Sequence, residues 1–213
     1  KNKRGTNVPI SVFGLENDTV VSQYWFSEID STKTFTIPRK SEDRLVLNYD
    51  QKIPEFNQRD NWKTLNGWLS SNKKLKFQFF KDTEDPYYNQ VFYVPIANFN
   101  LYDGITPGLR LYNKTFLERQ FQYDISPTYS FLEKTMVGKV GFRYRKYHKK
   151  TGLYVTNYSF SASTSHFQEN SRFTTITPAV SFGWRPNDLR SNRRQNLLFR
   201  YRSVYRNIDE SLV

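Results

Sequence analysis

Apolar and polar residues alternate with a period of two through most of residues 74–208. From Phe121 to Phe131 every odd position is apolar, aromatic or proline and every even one is polar. That is the period of a strand with two unlike faces, and no helix carries it. The same beat sets Tyr158, Phe160 and Ala162 against Asn157, Ser159, Ser161 and Ser163. It recurs where Ile176, Pro178, Val180, Phe182 and Trp184 oppose Thr175, Thr177, Ser181 and Arg185. The pattern predicts eight strands, at roughly 74–81, 90–101, 107–114, 120–131, 136–147, 152–165, 173–185 and 194–207. Turn chemistry separates them, as in Thr83-Glu84-Asp85-Pro86, Tyr102-Asp103-Gly104 and Pro186-Asn187-Asp188. Several reach the nine or so residues that cross a bilayer core when tilted.

Ahead of this region, residues 7–15, 18–29, 33–38 and 44–49 read as short strands joined by tight turns. Ile53-Pro54-Glu55 breaks that pattern, and Trp62 to Asn72 reads as a short helix or connector. The expected fold is all-β: a small antiparallel β-sandwich at 1–60, a connector at 61–73, and antiparallel strands of an outer-membrane-type β-barrel at 74–213. The eight or so strands suffice for a narrow barrel or form part of a larger one. Without an initiator Met or a terminal aromatic residue, the chain reads as processed and truncated.

Composition sharpens this picture. Aromatics make up 17% of the 213 residues, with 18 Phe and 15 Tyr, although the mean hydropathy is −0.75. Phe, Tyr and Trp in such numbers suit the girdles of a membrane barrel better than an ordinary aliphatic core. No run of apolar residues is long enough for a transmembrane helix. Cysteine is absent, which excludes disulfides and thiolate metal sites.

The net charge of +12 is unevenly spread: residues 74–213 hold 21 Lys and Arg against 11 Asp and Glu. A basic excess suits anionic lipid, nucleic acid or an acidic partner. Nucleic acid is set aside because its recognition motifs are missing. Alternate turns share one side of a meander, which brings loops 115–119, 148–151 and 186–193 together. There Lys149, Lys150, Arg193 and Arg194 are candidate lipid- or anion-binding residues for phosphates of lipopolysaccharide or phospholipid. A merely solvated rim is the plain alternative. Arg110, Arg143, Arg145, Arg200, Arg202 and Arg206 alternate with apolar neighbours, so they line a barrel interior or the wet face of a soluble sheet.

Catalytic signatures are missing. His148 and His166 stand alone in sequence, and no His-Glu-x-x-His, Gly-x-Ser-x-Gly, phosphate loop or dinucleotide fingerprint occurs. Glu84, Asp85 and Asp103 read as acidic turn residues, and the acceptor tripeptides at Asn17, Asn113 and Asn157 are too short to carry weight. No catalytic, cofactor-binding or metal-binding residue is assigned.

Four segments carry a resemblance: Pro9-Ile10-Ser11-Val12-Phe13-Gly14-Leu15, the stretch Ile53 to Asn61, the stretch Lys81 to Gln90, and the stretch Tyr102 to Lys114. Together they resemble the C-terminal region of large bacterial zinc aminopeptidase-like proteins of the gluzincin class. In those proteins a catalytic domain is followed by a β-sandwich and a barrel-like tail. The resemblance implies a zinc-dependent peptidase domain upstream of this chain, with zinc held there and no catalytic residue here. It also implies an outer-membrane location and a role as membrane anchor, with lipid, the catalytic domain and other outer-membrane proteins as partners. Two other readings are a non-enzymatic outer-membrane subunit of a larger complex and a soluble β-rich module binding glycan or anionic polymer.

Overall fold

The computed structural model describes residues 8–27, 29, 32–67, 73–81, 83–148, 152–188 and 190–208. They form an all-β chain of two units, residues 1–75 with 85–89, and residues 76–84 with 90–213. Among the described residues no helix is long and apolar enough to cross a membrane, which says nothing about β-barrels.

The first unit is a four-stranded sheet in the order β2-β1-β3-β4, with β1 Ile10–Glu16, β2 Thr19–Phe26, β3 Arg44–Leu47 and β4 Trp62–Thr64. Asn17 and Asp18, both at positive φ, make the two-residue turn between Glu16 and Thr19, a conformation that Asn and Asp tolerate. Leu15, Val46 and Trp62 form the buried core, with Tyr49 and Tyr87 packed against it. Gly14 is required where the Glu42 side chain crosses β1, because a Cβ there would lie 2.4 Å from Glu42 Cγ.

Two local expectations are corrected. Residues 33–38 alternate but form no strand; Phe35 packs its ring on Phe26 without joining a ladder. Of the segment Trp62 to Asn72, expected as helix or connector, Trp62–Thr64 is β4, because pairing with Val46 lets the indole enter the core, and residues 68–72 lie outside the described residues.

A nine-stranded sheet comprises β5 Lys74–Phe79, β6 Tyr88–Asn100, β7 Gly104–Tyr112, β8 Phe121–Ser130, β9 Thr135–Tyr147, β10 Leu153–Gln168, β11 Ser171–Trp184, β12 Gln195–Arg200 and β13 Ser203–Asn207. Neighbours follow chain order from β5 to β12, with β13 also on β11, and every pair from β6 onward is antiparallel. The last expected strand is divided. Tyr201 N–H donates to the Pro178 carbonyl at 3.1 Å, but Pro178 has no N–H to return, so the ladder lapses at 201–202.

Candidate functional site

Cross-strand partners in a sheet point to the same face, so the register assigns each alternating residue a side. One row joins Leu111, Ile125, Val140, Ala162 and Ile176. A second joins Phe121, Tyr144, Tyr158, Val180 and Phe199, and a third joins Tyr123, Phe142, Phe160 and Pro178. Toward the other end come Pro95 with Leu109, Tyr129 with Met136, and Phe99 with Ile105. This is one continuous apolar face, aliphatic and proline-rich across its middle and aromatic toward both ends. Phe121, Phe142 and Phe160 stack along it at ring separations of 6.2 and 6.4 Å.

Burial runs opposite to that of a soluble sheet. Ser126, Thr128 and Ser130, on the polar face, are 1%, 2% and 0% exposed. Across the sheet, Tyr144, Tyr158 and Phe199 on the apolar face are 45%, 51% and 56% exposed. A water-soluble domain hides its apolar face and wets the other. Here the polar side is covered along β8, although Lys139, Arg143, Ser161 and Ser163 on the same face are exposed, and the apolar side is bare at Tyr144, Tyr158 and Phe199.

Register also collects Arg110, Arg143, Arg145, Arg200 and Arg206 on the polar face, opposite Val94, Gln122, Asn157, Ala179 and Phe173 respectively. Arg110 Nε donates to both Asp124 carboxylate oxygens at 3.0 Å, and Ser126 adds a bond to the same carboxylate. Arg145 is held by Glu118 and donates to Asn157 Oδ1, whose amide donates in turn to Ser181. These chains run across strands and satisfy one another's polar groups, although Arg110, Asp124 and Glu118 stay partly exposed.

At the far end the sheet splits. β9 pairs with β10 only as far as Gly138 opposite Thr164, whereas its pairing with β8 continues to Thr135. Gly138 has φ +133°, and a Cβ there would lie 2.2 Å from the Ser126 carbonyl, so the kink admits only glycine. The β6–β7 turn enters the split. His166 N–H donates to Asp103 Oδ2 at 3.0 Å, His166 Nδ1 lies 2.6 Å from Asp103 Oδ1, and Asn100 donates to the His166 carbonyl at 2.6 Å. Ser130 Oγ donates to the Asp103 carbonyl. Burial alone pushes the Asp103 carboxyl up, but hydrogen bonds from His166 and Asn100 outweigh it and hold the group below its ordinary range. In a flat sheet β10 stands three spacings, about 14 Å, from β7, so the bonds of Asn100 and Asp103 to His166 require the β6–β7 turn to reach across the ends of β8 and β9.

The antiparallel order brings loops 113–120, 148–152 and 185–194 to one end of the sheet. Lys149 and Lys150 lie outside the described residues. Arg193 and Arg194 are both exposed in the 185–194 loop, and Arg194 Nη1 donates to the Ser191 and Arg193 carbonyls. Nearby, Arg119 pairs with Glu84, and Arg185 lies over the Tyr154 ring at 3.8 Å. The Asn113 amide donates to the Phe121 carbonyl, which gives this acceptor-pattern asparagine a structural task. No group of three His, Asp or Glu able to hold a metal ion occurs among the described residues. The Asp103–His166 pair escaped sequence reasoning because its members are 63 residues apart and no spacing motif links them. Comparison with known proteins places the chain in no family: no family model, no curated protein and no solved structure matches it.

Proposed function

We propose that the nine-stranded sheet is the wall of an outer-membrane β-barrel, with its apolar face toward lipid, and that this chain serves as a membrane anchor. One observation carries the reading: the inverted burial, with Ser126, Thr128 and Ser130 hidden and Tyr144, Tyr158 and Phe199 bare. A large apolar surface is costly in water but costs nothing against acyl chains, and polar groups on the opposite face keep their partners inside.

Dimensions support it. β8 runs from Phe121 to Ser130, which spans about 30 Å along the strand and about 23 Å when tilted by roughly 40°, close to the height of a barrel's apolar band. Aromatic rows flanking an aliphatic middle match interfacial girdles. Closure requires the edges at β5 and at β12 with β13 to meet each other or further strands. At the loop-rich end, Arg193 and Arg194, with Lys149 and Lys150, would meet lipid phosphates. The four-stranded unit reads as one layer of the expected sandwich, since the middle of β1 is buried along consecutive residues. The resemblance to the gluzincin C-terminal region supports an anchor for an upstream peptidase domain.

The test is to refold the full chain in detergent and compare the gel migration of unboiled and boiled samples. Faster migration before boiling is expected of a detergent-resistant barrel. No shift, together with a monodisperse protein in plain buffer, would overturn the membrane reading.

A further inference from the structure

On the polar face a strip of small hydroxyl side chains runs along β10 and β11. Ser159, Ser161 and Ser163 stand opposite Ala179, Thr177 and Thr175. Cations flank this strip on both sides. Lys139 and Arg143 on β9 pair with Ser163 and Ser159, while Arg200 and Arg206 lie across β11 opposite Ala179 and Phe173. The strip itself contains no carboxylate. Asp124, on the neighbouring row with Gly141 and Ser161, is already held by Arg110.

A second observation points to a missing partner. Thr175 is 8% exposed, and its Oγ1 is buried with no hydrogen-bond partner among the described residues. Buried hydroxyls normally find a partner, and Thr175 stands opposite Ser163 at one end of the strip. Small side chains leave room there. Hydroxyls and flanking cations, of which Lys139 also feels the Asp124 carboxylate, together offer donors and positive charge to an anion.

We propose that this strip is a binding site for a multivalent, phosphate-bearing anion, held by Lys139 and Arg143 on one side, Arg200 and Arg206 on the other, and hydroxyl donors including Thr175 between them. The side of the wall it faces rests on the barrel reading: in a barrel it lies on the lumen side, where the ligand is a free anion rather than a lipid headgroup.

The test is calorimetric titration of the detergent-refolded full chain with inorganic tripolyphosphate, beside vesicles of phosphatidylglycerol for the lipid source. Binding is expected to tripolyphosphate, weakening as salt rises. Lys139→Gln/Arg143→Gln and, independently, Arg200→Gln/Arg206→Gln should each weaken it at least about tenfold. Thr175→Val, which keeps the side-chain shape, should weaken it severalfold while leaving the fold unchanged, and Arg193→Gln/Arg194→Gln should have little effect. No binding, unchanged binding in both double variants, equal loss in the Arg193/Arg194 variant, or binding to lipid alone would each overturn the site. The boiled and unboiled gel on the same samples separates the two readings. A shifted band without tripolyphosphate binding removes the strip, whereas binding by a protein that shows no shift and is monodisperse in plain buffer removes the barrel and leaves the strip.

Discussion

The inverted sheet makes a depth-dependent prediction that a soluble domain does not share. Leu109 sits on the apolar face opposite Pro95, next to Gly108, which pairs with Thr128. That level lies near the middle of the segment bounded by Phe121 and Phe131. Tyr144, on the same face, pairs with Phe121 at the aromatic end. Both side chains are substantially exposed, 39% and 45%. On a soluble sheet, Leu109→Arg and Tyr144→Arg would therefore each cost within about 0.5 kcal/mol. Against lipid, an arginine at mid-depth costs about 2–4 kcal/mol and one near the interface about 0–1. Leu109→Arg should then shift the folding equilibrium by roughly 30- to 1,000-fold, while Tyr144→Arg shifts it fivefold or less, taking about 1.4 kcal/mol per factor of ten. The assay is urea-titrated folding in phosphatidylcholine vesicles, with the folded fraction read from unboiled gel migration. Equal, small effects for the two substitutions would refute lipid exposure of this face.

Three further outcomes follow from local geometry. Gly138→Ala should destabilise by roughly 1–3 kcal/mol, since the added Cβ meets the Ser126 carbonyl at a positive φ; Gly152→Ala, which meets nothing within 4 Å, should be close to neutral, and equal urea midpoints for the two would count against the kink. Asp103→Ala strands the buried His166 N–H and should lower the thermal midpoint seen by circular dichroism by the equivalent of about 1–3 kcal/mol; an unchanged midpoint would remove the turn-to-β10 bonds from the stabilising set. In the first unit, burial alone raises the Asp18 and Asp43 carboxyls, but bonds from Lys74 and Arg44 to Asp18 and from Arg44 to Asp43 hold both below the model-peptide value of 3.8. Their stabilisation is therefore complete above that value and lost as pH falls through the lower folded values. Arg44→Gln should flatten this acid loss by no more than about 1 kcal/mol, because the partners are partly exposed; urea midpoints compared at neutral and acid pH would sink the idea if the two proteins fell in parallel.

Strand positions from β6 to β11 were legible because most side chains' polarity follows their face, as in Phe121-Gln122-Tyr123-Asp124 against Tyr144 and Arg143. Which face turns inward was not legible, since alternation reads the same whether Ser126 or Tyr144 is hidden. That distinction rests on contacts far apart in sequence, the glycine kink at Gly138 against β8 and Asp103 reaching His166 across 63 residues. In the first unit, the alternation at 33–38 was not matched by a partner strand, while Trp62–Thr64, with little pattern of its own, is fixed as a strand by the burial of one indole. The lapse at Tyr201 has the same origin in reverse: it is dictated by Pro178 on the adjacent strand, not by any residue near the break. Local sequence thus specifies which faces can exist, and long-range contacts specify their use. The arginines make the point for function: alternation predicts a shared face for Arg110, Arg143 and Arg145. Only the fold separates those held by Asp124 and Glu118 from Arg143, which stands beside a strip of hydroxyls without a carboxylate.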